Sequence, residues 1–139
     1  MNSSALAELR IHHGGLSVPD LAASIAWYRR MLGFALEREQ HIPQIPARVA
    51  FLRRGEFRLE LFEVEGAAPL PASRRDPHAD LHVHGHKHLC FGVPDVTAAF
   101  AELRRLGADI IFENVIDGTP MGFFRDNTGN LLELIQIPA

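Results

Sequence analysis

Cysteine is nearly missing: Cys90 is alone among 139 residues. No internal disulfide can form, which excludes a disulfide-stapled secreted scaffold and also a cysteine-ligated zinc site. A reducing, cytoplasmic setting is expected. No apolar run approaches the ~18 residues of a membrane span, so no membrane partner is expected. The segment from Met1 to Leu9 lacks the basic-then-apolar order of a signal peptide and reads as a loose lead-in over residues 1–8. Basic charge is not in excess either. Fourteen Lys and Arg face 17 Asp and Glu, for a net charge of −3, and the basic residues are scattered rather than clustered. That pattern argues against nucleic acid as a partner. With 47% hydrophobic and 22% charged residues, the composition excludes disorder, and the length suits one domain.

What is abundant is histidine. There are eight, five of them between His78 and His88. Imidazole titrates near neutral pH and is a common metal ligand, so the question is which of the eight carry chemistry.

An internal repeat answers part of it. HGGLSVPDLAASIAWYRRMLGF from His13 aligns with HLCFGVPDVTAAFAELRRLGAD from His88. The V-P-D triplets, Val18-Pro19-Asp20 and Val93-Pro94-Asp95, fall at the same offset from each histidine. Arg29-Arg30 matches Arg104-Arg105, and Gly33 matches Gly107 with a one-residue slip. Further on, Phe51-Leu52-Arg53 matches Phe123-Phe124-Arg125, and Leu59-Glu60-Leu61 matches Leu132-Glu133-Leu134. The chain is therefore read as two modules, residues 9–65 and 86–138, joined by a Pro- and charge-rich connector, 66–85.

Each module has the order βαβββ. Ile11–Val18 suits a short strand. Asp20 and Asp95 are good helix N-caps, apolar residues then recur at helical spacing, and Gly33 and Gly107 sit where a helix ends. Hairpins are expected for Val49–Leu52 with Phe57–Phe62 and for Gly122–Arg125 with Leu131–Ile135. The run Asp126-Asn127-Thr128-Gly129-Asn130 is a strong turn signal.

Strand alternation sets Glu60 and Glu133 opposite their leucine neighbours. A carboxylate among apolar neighbours is costly unless paired or bound to a cation. Two-fold pseudo-symmetry would carry both His–Glu pairs to one shared cleft. Two imidazoles and two carboxylates suit a divalent transition metal with positions left open for substrate.

The ordered set IHHGGLSVPDL, LELFE, HKHLCFGVPDV and FFRDNTGNLLELIQ resembles the vicinal oxygen chelate superfamily, which includes glyoxalase I, methylmalonyl-CoA epimerase, extradiol dioxygenases and the fosfomycin- and bleomycin-resistance proteins. The resemblance implies an α+β fold, with two βαβββ modules as paired incomplete barrels around a metal cleft. Carried over residue by residue, the family's metal ligands fall on His13, Glu60, His88 and Glu133. The implied metal is Ni, Zn, Co, Mn or Fe. The bleomycin-binding branch lacks these ligands. The iron dioxygenases and fosfomycin enzymes lack a ligand Glu where Glu60 falls. A second Glu fits the isomerase, lyase and epimerase branches, where a metal-held substrate oxygen stabilises an enediolate or enolate. A glutamate at the metal moves the proton there, a role that falls to Glu133, with Glu60 second. A ring-cleaving Fe(II) dioxygenase and a non-catalytic small-molecule-binding resistance protein are the alternatives. A small-molecule substrate and a homodimer are expected, with the metal site either within one chain or shared between two.

The remaining candidates read more plainly. His12 is expected on the opposite strand face from His13, at the surface or behind the ligands rather than among them. If His82, His84, His86 and His88 lie on a strand they share a face, but only His88 has a repeat counterpart. Cys90 reads as a small core thiol, and Trp27, Tyr28, Phe51, Phe62, Phe123 and Phe124 as packing. Arg48, Arg53, Arg74, Arg75 and Arg125 are candidates for an anionic substrate group. Asn114–Gly122 reads as a loop, with the option of a flap over the site.

Overall fold

A computed structural model describes residues 4–139. Of the lead-in expected over residues 1–8, residues 1–3 lie outside the described residues. Module 1 runs β1 (His13–Ser17), α1 (Leu21–Leu32), β2 (Ala35–Ile42), β3 (Ala47–Arg54) and β4 (Phe57–Val64). Module 2 runs β5 (Leu89–Val93), α3 (Val96–Arg105), β6 (Asp109–Ile116), β7 (Thr119–Arg125) and β8 (Leu131–Gln136). Each forms a four-stranded sheet, ordered β1-β4-β3-β2 and β5-β8-β7-β6. This is the α+β, twice-βαβββ architecture expected of a glyoxalase-like fold.

Sequence chemistry repeats along with the strands. Asp20 accepts from the Ala23 amide at 3.0 Å, and Asp95 from the Ala98 amide at 2.9 Å. Each N-cap is worth roughly 1 kcal/mol. The far end of each sheet also holds its helix start: Glu63 accepts from the Leu21 amide, and Gln136 from the Val96 amide. Gly33, at φ 69°, closes α1 in a left-handed conformation that a side chain would resist.

One core joins both modules. Leu59 and Leu61 of β4 belong to the same buried cluster as Leu132 and Leu134 of β8, with Tyr28 and Phe100 from the two helices. Trp27 stacks on Phe124, and the Tyr28 hydroxyl donates to Asp126 Oδ2 at 2.7 Å across the module boundary. The expectation that Trp27, Tyr28 and Phe124 are packing residues holds. A buried carboxylate needs donors, and Asp126 has them in full: besides Tyr28, the amides of Thr128 and Asn130, the Thr128 hydroxyl and the Asn130 amide group all donate to it.

The connector is shorter of free chain than its composition implied. A 3₁₀ turn (Ala72–Arg75) leads into α2 (Pro77–Asp80), capped by Asp76. Asp80 is buried, Arg74 Nε lies 2.6 Å from its Oδ1, and Lys87 Nζ lies 3.2 Å from the same oxygen. Arg74 also donates to the His86 carbonyl. These contacts fold residues 74–87 into a clasp, so the histidine-rich run is not a strand; β5 begins only at Leu89. His82, His84 and His86 therefore do not form the extended row with His88 that the alternative reading required. Asn114–Gly122 is likewise no loop. It is the β6–β7 hairpin, tightened at Asp117 (φ 49°) and Gly118 (φ 75°). Among the described residues no helix is long and apolar enough to cross a membrane.

Candidate metal centre

The two His–Glu pairs form as the repeat requires. His13 Nε2 lies 2.9 Å from Glu60 Oε2, and His88 Nε2 lies 2.8 Å from Glu133 Oε2. The register explains both. β1 pairs parallel with β4 so that Gly15 faces Glu60, and β5 pairs with β8 so that Cys90 faces Glu133. His13 opens β1 two residues before Gly15, and His88 stands just ahead of β5, two residues before Cys90, so each histidine reaches the side of its glutamate. The glutamates are shielded, with side chains 13% and 15% exposed.

Aromatic rings back both imidazoles. Phe51, cross-strand from Glu60, meets the His13 ring edge-to-face at 5.2 Å. Phe123, cross-strand from Glu133, meets the His88 ring at 4.8 Å. Both are buried, as the packing reading expects, and their matched places in the repeat set each against an imidazole as well. Arg38 was missed: its guanidinium stands 4.5 Å over the Phe51 ring, beside the module 1 pair. Of the arginines singled out from the sequence, Arg48, Arg53, Arg74 and Arg125 are engaged with Glu63, Glu56, Asp80 and Asp109. Arg75 lies against Gly129.

Two expectations need correction. His12 does not turn away from His13; it stands just outside β1, with its Nδ1 2.7 Å from His13 Nδ1. Cys90 is not a core thiol but a surface residue beside Glu133. Partial burial of the sulfur, then the charge and hydrogen bond of Glu133, push its pKa up to about 12.

The two pairs do not meet within one chain. No three His, Cys, Asp or Glu side chains among the described residues gather into a metal-holding group. The reason is alternation. Leu59, Leu61, Leu132 and Leu134 face one shared core, so Glu60 and Glu133 emerge on the opposite face of each sheet. A cleft of about 1120 Å³ contains neither pair; the connector, the ends of β1 and β4 and the Asp126–Asn130 turn line it. Each pair lies on the sheet face turned away from the shared core.

The fold pairs two βαβββ modules, each with a histidine at or just ahead of its first strand and a glutamate on its last. The chain belongs to the Glyoxalase/Bleomycin resistance protein/Dioxygenase superfamily, whose sequence profile matches residues 10–134. Among curated relatives, it is 29% identical to the ethylmalonyl-CoA/methylmalonyl-CoA epimerase of Cereibacter sphaeroides, over 92% of this chain and 98% of that one. It is 31% identical to a 2-epi-5-epi-valiolone epimerase of Actinomyces sp, over 93% of this chain and 80% of that one. Among solved structures, a glyoxalase family protein from Enterococcus faecalis superposes with a TM-score of 0.78 at 28% identity, covering 92% of this chain and 98% of that one.

Proposed function

We propose that the chain is a divalent-metal-dependent isomerase, lyase or epimerase of the glyoxalase I type, moving a proton on a carbon next to a carbonyl of a small oxygenated substrate. The observation that carries this reading is the twofold imidazole–carboxylate pair, each Nε2 within 2.9 Å of a carboxylate oxygen. Two nitrogen and two oxygen donors fit a divalent transition ion chemically. His13, Glu60, His88 and Glu133 would hold it; when bound, such an ion supplies Lewis-acid polarisation of a carbonyl. The relatives named as epimerases support proton transfer over oxygen insertion.

The chain's own groups supply the rest. Glu133 is the general base, in a carboxylate position shielded from water, with Glu60 its pseudo-symmetric partner. Phe51 and Phe123 hold the imidazole rings by edge-to-face contact and cover one side of each pair. Arg38 offers a cation for an anionic group on the substrate. Because both pairs emerge on faces turned away from the common core, the complete site forms between module 1 of one copy and module 2 of a second, in a homodimer.

The test is hydrogen exchange. Purified protein is assayed for bound metal, then incubated in D₂O with 2-substituted malonyl thioesters and 2-oxoaldehyde hemithioacetals, and deuterium at the carbon beside the carbonyl is read by NMR. Metal-dependent incorporation is expected, abolished by Glu133→Gln. Protein that neither carries stoichiometric divalent metal nor binds added Ni, Zn, Co, Mn or Fe overturns the reading.

A further inference from the structure

The module 1 pair has a feature that its counterpart lacks. The His13 ring is held at both nitrogens: Nε2 faces Glu60 at 2.9 Å, and Nδ1 faces Nδ1 of His12 at 2.7 Å. The two rings stand nearly perpendicular, with centroids 4.9 Å apart. Two ring nitrogens at this distance share one proton, one donating and the other accepting. In module 2 the residue before the histidine is Lys87, whose ammonium is taken up by the Asp80 side chain and by the carbonyls of Asp80 and Val83. It does not serve the His88 ring.

We infer that His12 is a positioning residue for His13, able to take either role in this hydrogen bond. When His13 donates from Nε2 to the Glu60 carboxylate, its Nδ1 is the acceptor and His12 Nδ1–H the donor. A cation at Nε2 requires a lone pair there. His13 then carries its proton on Nδ1 and donates to His12, whose own proton moves to Nε2. The His13 ring keeps its orientation in both arrangements. Neither a carboxylate nor an ammonium at position 12 does both; imidazole does. Groups that hold a metal-bound histidine from its far nitrogen typically govern affinity by roughly 10- to 100-fold. The inference rests on His13 being a metal donor, as proposed above.

The experiment pairs ¹⁵N NMR of the histidine rings with zinc titration against a chromophoric chelator, in the full chain and in His12→Phe and His12→Asn variants. His12 is exposed, so these changes leave the core untouched. In the unaltered protein the His13 ring is expected to carry its proton on Nε2 without zinc and on Nδ1 with zinc. His12→Phe is expected to weaken zinc binding by roughly 10- to 100-fold and to shift the His13 Nδ1 resonance. His12→Asn, whose amide both donates and accepts, recovers most of the affinity. Unchanged zinc affinity together with unchanged His13 resonances in His12→Phe overturns the inference. If the unaltered protein binds no zinc, the metal reading fails. The Nδ1 resonance of the empty protein then decides alone: a shift on His12→Phe supports the contact, and no shift refutes it.

Discussion

Oε2 of Glu133 lies 2.8 Å from Nε2 of His88, and the same two atoms of Glu60 and His13 lie 2.9 Å apart. Two equivalent pairs make the glutamates testable against each other. With four donors required, Glu60→Gln and Glu133→Gln are each expected to lower kcat/KM by at least ~100-fold, the scale of general-base loss. Glu133→Gln falls mainly on kcat. A site needing only three donors would tolerate Glu60→Gln, so that variant measured beside Glu133→Gln separates proton transfer from dioxygenase-type ligation.

A site shared between two copies predicts complementation. One variant carries His13→Ala and Glu60→Gln, the other His88→Ala and Glu133→Gln. Each alone is inactive. Mixed after reversible dissociation, half the dimers are hybrids with one intact site of two, so about a quarter of full activity returns. No recovery in a confirmed hybrid would place all four donors in one chain.

Tyr28 is the sole tyrosine, so ultraviolet titration reads it alone. Burial, then the Asp126 charge and hydrogen bond, raise its pKa well above the usual value. The folded state therefore holds the phenol proton more tightly than the unfolded state does. Its stabilising contribution is complete below about pH 10 and is lost as pH climbs toward the raised folded value. No tyrosinate absorbance is expected until the protein unfolds in alkali. Tyr28→Phe removes one donor from a carboxylate that keeps four others, and is expected to cost about 1–2 kcal/mol in a urea melt.

Cys90, likewise the sole cysteine, reports on Glu133. With its pKa pushed up to about 12, the thiol is expected to react with an aromatic disulfide reagent at pH 8. The rate should be ~100-fold below that of a free thiol, since the loss of thiolate outweighs the gain in nucleophilicity. Glu133→Gln removes the charge and should speed the reaction. Equal rates in both proteins would show that the sulfur does not sense the carboxylate.

Much of the site was legible because it is written twice. Spacing alone placed His13, Glu60, His88 and Glu133 in equivalent positions, and the caps at Asp20 and Asp95 marked both helices. Phe51 and Phe123 stood in matched positions too, but an apolar residue on a strand reads as core until the cross-strand partner is known. His12 misled because simple alternation was extended one residue beyond the true start of β1. The histidine-rich run misled for a different reason. Its course depends on Asp80, whose burial against Arg74 and Lys87 bends the chain, and no local pattern announces an ion pair that closes over several residues.

The amino-acid sequence determined the module, its repetition and the histidine and glutamate carried by each copy, since these follow from short-range periodicity and from residue chemistry. Which way the modules pack is a long-range outcome. Burying Leu59, Leu61, Leu132 and Leu134 in one core turns the glutamates to the outer faces. Only the tertiary structure decided that the two pairs stand apart.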